Sequence, residues 1–247
     1  GVMAVTGNLV FRRNRVIGNV VQSSGSNLAY GGGLCLVAAS ASGLGEMVVV
    51  GNYIASNSVI GGSSGSNLSG GGGIFSHDQR PRIENNIIVK NSAPYGGGFG
   101  AFKYYTTSAP GTDLSGGRRV SAHSSTESVM QSTARAGLLL DAPVLINNTI
   151  AYNRATANQG GAISTVGSWT PKVINTIAWG DTATQEIYVH SGSIRVLYSN
   201  ITNGWPSDSG NISVDPQFSD SEYRLANTSG CLQRGIDSVQ IAGTWYK

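Results

Sequence analysis

Only a few side chains in this sequence combine the residue type and the placement that proton-transfer chemistry requires. Lysine and arginine can abstract a proton beside a sugar carboxylate, and histidine exchanges protons near neutral pH. Lys90 lies within a repeated segment, whereas the other candidates belong to a long polar stretch that could fold over it. The candidate catalytic residues are Lys90, Lys103, His123 and Arg135.

The acidic residues do not complete such a site. Calcium-dependent chemistry on an acidic polymer needs several carboxylate oxygens at one place. The carboxylates here recur at no single repeat position; they are Asp78, Glu84, Asp113, Glu127, Asp141, Asp181 and Glu186. We interpret His77, His123 and His190 as solvated or turn residues, and no cysteine–histidine spacing fits zinc. The sequence therefore predicts no metal ligands and no cofactor, with Ca²⁺ as a candidate cofactor if the chain is a lyase.

A short pattern repeats along the chain: an asparagine, an apolar residue two positions later, and an asparagine or glycine five positions later. Copies begin at Asn14, Asn52, Asn86, Asn148 and Asn175, with a weaker copy at Ser199. Glycine clusters follow the first four copies, and short apolar strands flank them. The pattern predicts coils of about 24 residues with three short strands each. The longest gap, between Asn86 and Asn148, then fits two coils, one of them degenerate.

Stacked coils explain why these residue types repeat. The same position of every coil falls in a column with a spacing of about 4.8 Å. Apolar residues in one such column form a core that no single coil could bury. Corner asparagines tolerate left-handed backbone geometry and bond to the coils on either side. The predicted inward column is Val16, Ile54, Ile88, Ile150, Ile177 and Ile201.

The fourth position after each anchor asparagine is the best candidate for ligand binding. It carries Lys90, Tyr152 and Trp179. If this column faces outward, aromatic rings and a cation lie in a line that suits a sugar chain. The alternative is that these side chains are packed under loops or scattered on the surface.

Composition restricts the class of protein. The 247 residues include 35 glycines, and only 12% are charged, which favours an all-β fold with many turns. No apolar run is long enough to span a membrane, and no secretion signal is visible. The formal charge of +3 comes without a nucleic-acid-binding motif, so we expect no nucleic-acid partner. Cys35 and Cys231 lie too many coils apart for a disulfide and are predicted to be free thiols.

We expect one domain over residues 1–247, as a piece of a larger protein. Its coils cover about 7–211, an insertion covers about 103–137, and a closing segment covers about 212–247. Residues 1–6 contain no helix that could cap the first coil. Because solenoid ends need capping, we expect end-to-end contact there with further coils or another subunit.

The repeats, written Asn-x-Ile-x-x-Asn and then Gly-Gly-x-Ile, resemble right-handed parallel β-helices of the pectate-lyase-like superfold. They are most similar to repeats of polymorphic outer-membrane and related bacterial surface proteins. The segments Val214–Phe218, Tyr223–Leu225 and Gly235–Asp237 resemble the closing segment of such domains, although Gly230–Arg234 stands where a Ser-Pro pair is common. The resemblance implies an architecture, since this superfold hosts lyases, hydrolases, epimerases and adhesins.

Two functions follow as expectations. The first is a non-catalytic, extracellular or cell-surface β-helix with a structural or adhesive role, whose outer surface binds polysaccharide. The alternative is a carbohydrate-active enzyme, either a polysaccharide lyase acting on a uronic-acid polymer or a glycoside hydrolase. The Arg-x-Pro-x-x-Arg motif of pectate lyases is missing, as are the acidic motifs of polygalacturonases.

Overall fold

The protein is an all-β solenoid in which the chain winds through six successive coils. A computed structural model describes residues 1–5, 7–24, 27–38, 44–61, 63–64, 67–103, 141–205 and 210–247. Neighbouring coils pair through parallel strands, which confirms the predicted right-handed parallel β-helix. Within these ranges, no helix has the length and apolar character needed to cross a bilayer.

The strands follow one another coil by coil. Coil 1 contains β1 (Val2–Val5), β2 (Gly7–Arg12), β3 (Arg15–Ile17) and β4 (Val20–Gln22). Coil 2 contains β5 (Leu34–Val37), β6 (Leu44–Val50), β7 (Tyr53–Ala55) and β8 (Ser58–Ile60), followed by a hairpin of β9 (Ser63–Ser64) and β10 (Asn67–Leu68). Coil 3 contains β11 (Ile74–His77), β12 (Arg82–Glu84), β13 (Ile87–Val89) and β14 (Ser92–Tyr95).

Coil 4 has four strands, whereas coils 5 and 6 have three each. Coil 4 contains β15 (Phe99–Phe102), β16 (Val144–Ile146), β17 (Thr149–Ala151) and β18 (Arg154–Gln159). Coil 5 contains β19 (Ile163–Val166), β20 (Lys172–Ile174) and β21 (Ile177–Trp179). Coil 6 contains β22 (Ile187–Val189), β23 (Arg195–Leu197) and β24 (Asn200–Ile201), and a C-terminal hairpin contains β25 (Val239–Ile241) and β26 (Thr244–Tyr246).

Four parallel sheets run along the solenoid axis, so the prediction of three strands per coil is wrong for coils 1–4. Sheet A is β1-β5-β11-β15-β19-β22, and sheet B is β2-β6-β12-β16-β20-β23. Sheet C is β3-β7-β13-β17-β21-β24, and sheet D is β4-β8-β14-β18. Sheet D forms because the residues just after the second corner asparagine are also extended and pair between coils.

The long gap between Asn86 and Asn148 belongs to one coil, not to two as the spacing suggested. β13 pairs directly with β17, and β12 pairs directly with β16. The extra length lies between β15 and β16, after Lys103. A solenoid tolerates such an insertion because both flanking strands are held by the neighbouring coils.

The core is a stack of inward-facing aliphatic side chains. In sheet C the inward column is Val16, Ile54, Ile88, Ile150, Ala178 and Ile201, all of them buried. The predicted column is therefore correct except in coil 5. There Ile177 pairs with Thr149 in an outward column, and Ala178 faces the core instead. In coil 5 the repeat therefore begins one residue later than the sequence pattern predicts.

Two ladders of polar side chains fix the corners on either side of sheet C. In the first ladder, the backbone N–H and the Nδ2 of Asn52 both donate to Asn86 Oδ1 at 2.9 Å, and Asn86 bonds to Asn148 in the same way. This ladder continues through the Thr176 and Ser199 hydroxyls. The second ladder contains Asn19, Asn57, Asn91, Asn153 and Asp181. Buried corner amides are thus satisfied.

The glycine clusters make the turn from sheet D into sheet A. Gly71 has φ of 72°, in the left-handed region. A Cβ there would lie 2.6 Å from the Ile74 carbonyl oxygen and from Phe75 Cβ. Only glycine fits this turn without displacing β11, which explains why a glycine cluster precedes the sheet A strand in coils 2–5.

The chain after coil 6 folds back along the outside of the solenoid. Ile241 and Tyr246 of the C-terminal hairpin pack against Val144, Ile146 and Ile174 on the outer side of sheet B. Asn175 anchors the same segment, because its Oδ1 accepts from the Ile236 N–H at 2.9 Å and its Nδ2 donates to the Ile236 carbonyl. The segment therefore covers an apolar outer face.

Candidate functional site

The outer side of sheet C carries an apolar column next to the second ladder. Its members are Ile17, Ala55, Val89, Ala151 and Trp179, one from each of coils 1–5. Short and β-branched side chains dominate, so larger groups can lie directly on the sheet. Phe218 and Tyr223 of the C-terminal segment pack on Ala55, Val89 and Ala151.

A tight turn holds these two C-terminal rings in place. Phe218 and Leu225 form an antiparallel bridge, and the Ser219 N–H donates to the Arg224 carbonyl at 2.7 Å. Inside the turn, Asp220 accepts from the backbone N–H groups of Glu222 and Arg224. These bonds, together with the Arg224 guanidinium, hold the pKa of Asp220 below its usual value.

Three rings form the centre of what we call the aromatic face, defined as Tyr53, Tyr152, Trp179, Phe218 and Tyr223. The Phe218 and Tyr223 ring centroids lie 5.3 Å apart in an edge-to-face arrangement. The Tyr152 centroid lies 6.3 Å from Phe218 and 6.0 Å from Tyr223. Burial raises the pKa of Tyr223, and the neighbouring Tyr53 and Tyr152 add to that effect. Tyr152 remains 45% exposed and presents its ring to solvent.

Two cations border the aromatic face. The Arg15 guanidinium lies 4.4 Å from the centroid of the Tyr53 ring, which is a cation–π contact. Lys90 is exposed at the corner between β13 and β14, where its backbone N–H donates to the Ala151 carbonyl. It precedes Tyr152 by one coil in the corner column, because both residues have positive φ after aligned strands.

The structure places Tyr152 and Trp179 beside each other, although not in the predicted column. The residue below Tyr152 in the corner column is Gly180, with φ of 67°. A Cβ at Gly180 would lie 2.9 Å from Tyr152 Cε1, so the tyrosine ring lies over this glycine. Trp179 comes one position earlier, in register with Ala151 on the outer side of sheet C. This displacement is the same one-residue error as in the core column.

The candidate catalytic residues are not brought together within the described chain. Lys90 lies at the corner between sheets C and D, whereas Lys103 follows β15 at the corner between sheets A and B. Gly167 lies against the Lys103 backbone, which places Lys103 next to the end of β19. His123 and Arg135 lie outside the described residues.

The histidine prediction is wrong for His77. This residue is in β11, is buried on the outer side of sheet A and has its ring 6.1 Å from the Phe75 ring. Its Nδ1 lies 3.3 Å from Asp78 Oδ2. Burial lowers the pKa of His77, an effect that Asp78 opposes. His190 is exposed beyond β22, as predicted.

Asp181 and Glu186 form a pair of carboxyl groups in coil 5. Asp181 is 8% exposed, and its Oδ1 accepts from the Asn153 N–H and Nδ2. Asp181 Oδ2 and Glu186 Oε1 are buried without a hydrogen-bond donor among the described residues. Burial, and then the adjacent Glu186, raise the pKa of Asp181 well above its usual value; burial also raises the pKa of Glu186. Two buried carboxyl oxygens without a donor favour the protonated form of one member of the pair.

No cluster of three or more histidine, cysteine or acidic side chains that could hold a metal occurs in the part of the chain that the structure describes. Cys35 and Cys231 are both free, as predicted. Cys35 lies in register with Phe75 on the outer side of sheet A, and burial raises its pKa to about 12. That thiol is not a nucleophile at neutral pH.

Sequence reasoning missed three of the five residues of the aromatic face. Phe218 and Tyr223 belong to the closing segment, whose sequence suggested an end of the domain but not its return to sheet C. Tyr53 occupies the position directly after an anchor asparagine, where the other copies carry arginine, isoleucine or threonine. The sequence signal that could have identified Tyr53 is Arg15, a cation at the same repeat position one coil earlier.

A separate depression of about 320 Å³ lies beside β18, and no residue of the aromatic face lines it. Its lining is neutral and polar and includes Asn158, Gln159, Gln185 and Tyr188. A bulge in β18 relative to β14 creates this depression, and Asn158 within the bulge has a φ of 66°. This depression has one ring and carries no charged lining residue.

The arrangement on sheet C can bind a ligand by stacking and by charge, because the exposed Tyr152 ring and the half-buried Tyr53 ring lie on the same surface as Lys90 and Arg15. It lacks an assembled acid–base pair among the described residues. No protein family, curated protein or solved structure matches this chain.

Proposed function

We propose that this chain is a non-catalytic β-helix whose aromatic face binds polysaccharide. The observation that carries the proposal is the cluster of Tyr152, Phe218 and Tyr223 rings, with Tyr152 exposed. Lys90 lies one coil before Tyr152 at the same corner, and Arg15 lies over the Tyr53 ring at the border of the aromatic face. Sugar rings stack on aromatic faces, and hydroxyl or carboxylate groups then interact with the cations.

Rigidity supports a binding role. Ring positions in coils 2–5 are held by strand register and by two hydrogen-bonded ladders, so little conformational entropy is lost when a ligand binds. A surface running along the solenoid axis also suits a linear polymer better than a compact ligand.

The proposal includes an extracellular or cell-surface location and an adhesive or structural role. Its support is that the sequence repeats resemble those of polymorphic outer-membrane and related bacterial surface proteins. The lyase alternative would need Lys90, Lys103, His123 and Arg135 to act together, and the two lysines in the described chain lie at different corners.

Binding to immobilised polysaccharides tests the proposal. The panel contains pectate, alginate, a glycosaminoglycan and a neutral glucan, each with and without calcium. We expect at least one polymer to bind and Tyr152→Ala to weaken that binding about tenfold, corresponding to about 1.4 kcal/mol. The matched control is Tyr188→Ala, which removes a ring from the depression beside β18 and leaves the aromatic face intact.

A parallel assay separates the two functions. With the same polymers, we record the absorbance of unsaturated uronate products and, separately, the concentration of reducing ends. Product formation by the parent protein that is lost in the double variant Lys90→Ala, Arg135→Ala would establish the lyase alternative. Equal binding by the Tyr152→Ala variant and the parent protein would rule out the aromatic face as the site.

A further inference from the structure

A buried carboxyl group adjoins the aromatic face. Asp181 follows Trp179 by two residues, and its Oδ1 accepts from the Asn153 N–H at 2.6 Å and from Asn153 Nδ2 at 2.7 Å. Asn153 directly follows Tyr152, whose ring lies over Gly180. Two of the aromatic-face side chains therefore belong to segments that this one carboxyl group holds together.

Glu186 brings a second carboxyl group to the same corner. It immediately precedes β22, at the position that carries glycine in coils 2–4 and alanine in coil 5. A Cβ at Gly73 would lie 3.0 Å from Asn91 Nδ2, and a Cβ at Gly98 would lie 3.1 Å from Asn153 Nδ2. A side chain at this position therefore points at the second ladder.

Coil 6 has no side chain of its own at the ladder position. The ladder residue comes three positions after the inward residue of sheet C, as Asp181 does in coil 5. In coil 6 that position, counted from Ile201, is Gly204. The Glu186 carboxyl interacts instead with the Asp181 carboxyl and backbone N–H, and with the Thr202 hydroxyl. The second ladder thus ends in two acids.

The contacts of these two acids require a proton. Asp181 Oδ2 and Glu186 Oε1 are buried, and neither accepts a hydrogen bond from a described residue. One shared proton supplies the missing donor, whereas two carboxylates would place like charges side by side away from water. Burial, and then Glu186, raise the pKa of Asp181; burial raises the pKa of Glu186, an effect that its hydrogen bonds with Asp181 and Thr202 oppose.

The groups packed around the pair do not neutralise it. From coil 4 the neighbours are Tyr152, which is neutral below about pH 10, and Arg154, whose side chain is exposed. From coils 5 and 6 they are Gly161, Trp179 and Thr202, which carry no charge. Among the described residues, no cation and no third acid alters the pKa of either carboxyl group.

The same contacts connect the proton to the rings. The Thr202 hydroxyl accepts from the Gly180 N–H at 2.9 Å and also interacts with Glu186. Glu186 has the longer side chain and is partly exposed, so Glu186 rather than Asp181 turns towards water when both groups ionise. That movement takes one partner from the Thr202 hydroxyl and loosens Gly180, on which the Tyr152 ring lies.

We propose that the Asp181–Glu186 pair is a proton switch that regulates ligand binding at the aromatic face. The protonated pair holds the corner of residues 179–182 and keeps Tyr152 in position for stacking. When the pair loses its proton at higher pH, the corner loosens and bound polysaccharide is released. This inference rests on the function proposed for the aromatic face.

Hydrogen exchange at the corner tests the switch without any ligand. Exchange of the Gly180 and Asp181 amides is measured between pH 5 and pH 8 and divided by the intrinsic rate at each pH. Because the pKa of both acids is raised above the usual value of about 4, we expect protection in the parent to fall about fivefold or more as pH rises. Glu186→Gln offers a permanent donor to Asp181, so its protection should stay at the parent's pH 5 value.

Three comparisons make this test specific. Glu46→Gln, the same change at an exposed position of β6, is the matched control and should follow the parent. Asp181→Asn removes the shared proton from the other side and should behave like Glu186→Gln, which covers a folding failure of either variant. Histidines also titrate in this range, and His77 and His190 are retained in every variant. A pH-dependent loss of corner protection that persists in both amide variants would overturn the proposal.

Binding to immobilised pectate, alginate, a glycosaminoglycan and a neutral glucan at pH 5 and pH 8 tests the regulation. We expect each polymer that the parent binds at pH 5 to bind about fivefold more weakly at pH 8, and Glu186→Gln to bind it equally at both. Equal binding by the parent at both pH values would overturn the proposal, as would corner protection that does not change with pH. Absence of binding to every polymer would overturn the proposed function, whereas the exchange measurement would still decide whether the pair controls the corner.

Discussion

The corner asparagine is the residue on which this fold depends most. The buried side chain of each inner asparagine accepts a backbone N–H and donates to a backbone carbonyl of the coil before it, as Asn57 does. Its own N–H and Nδ2 donate to the side chain at the same corner of the coil after it. Each one therefore joins three coils, which explains its repetition in a chain with few charges. A hydroxyl or carboxyl group can substitute where the acceptor alone is required, as at Thr176 and Asp181.

Replacing Asn91 by alanine should destabilise the protein by about 3 kcal/mol or more. The change removes the acceptor for the Asn57 N–H and Nδ2 and leaves the Ile54 carbonyl without its donor, all at buried positions. Urea unfolding measures the loss. Asn14→Ala, at an exposed position of coil 1, is the control and should cost about 1 kcal/mol or less. Equal costs for the two changes would contradict the ladder interpretation.

Asp181→Asn should stabilise the protein at neutral pH. The new amide keeps the Oδ1 acceptor for Asn153 and offers a donor to Glu186 in place of a buried carboxyl group. The folded-state pKa of Asp181 is raised, so its contribution to stability is complete below about pH 4 and is lost as pH rises through that raised value.

Thermal midpoints of the parent and the Asp181→Asn variant between pH 4 and pH 8 measure this effect. We expect the difference to grow with pH and to reach about 1 kcal/mol or more at pH 8. Asp215→Asn, at an exposed position, is the matched control. A difference that is constant across this range would mean that the Asp181 carboxyl is not protonated in the fold.

At this scale the sequence predicts the ladder wherever asparagine itself recurs. Prediction fails in coil 5, because Thr176 and Asp181 take the ladder positions while Asn175 occupies the adjacent left-handed corner with φ of 49°. Asparagine suits both positions for different physical reasons. Residue identity alone therefore could not decide the register, and the predicted columns of Ile177 and Trp179 are each wrong by one residue.

Among the elements, the C-terminal segment has the largest effect on the surface. It covers apolar residues on the outer sides of sheets B and C and supplies two rings of the aromatic face. Its sequence lacks the repeat, so periodicity could indicate where the coils end but not which faces the segment covers. Sheet D was missed for a related reason: its strands are short and only partly apolar.

Tyr246→Ala should cost about 3 kcal/mol, because the buried ring packs against sheet B and lies 5.9 Å from the Lys172 ammonium. The neighbouring Trp245 is 59% exposed, and Trp245→Ala should change stability by less than about 0.5 kcal/mol. Chemical denaturation compares the two variants. A larger loss for the tryptophan variant would mean that the hairpin faces the other way.

For the molecule as a whole, strand register between adjacent coils matters more than the length of chain between them. Coils 3 and 4 stack in all four sheets although one insertion lengthens coil 4 far beyond the others. Insertions occur only at corners, between sheets A and B or between sheets D and A. The Lys90 and Tyr152 corner, between sheets C and D, has none and leaves the aromatic face accessible.

Replacing residues 104–140 by a four-residue glycine-serine link should leave the solenoid intact. β15 and β16 are each paired on both sides, so the insertion contributes no strand to their register. The shorter loop should raise stability by up to about 2 kcal/mol through its lower closure entropy. Polysaccharide binding at the aromatic face should be unchanged, since the link joins a different corner. Loss of binding with retained stability would place part of the site, and the roles considered for His123 and Arg135, within the insertion.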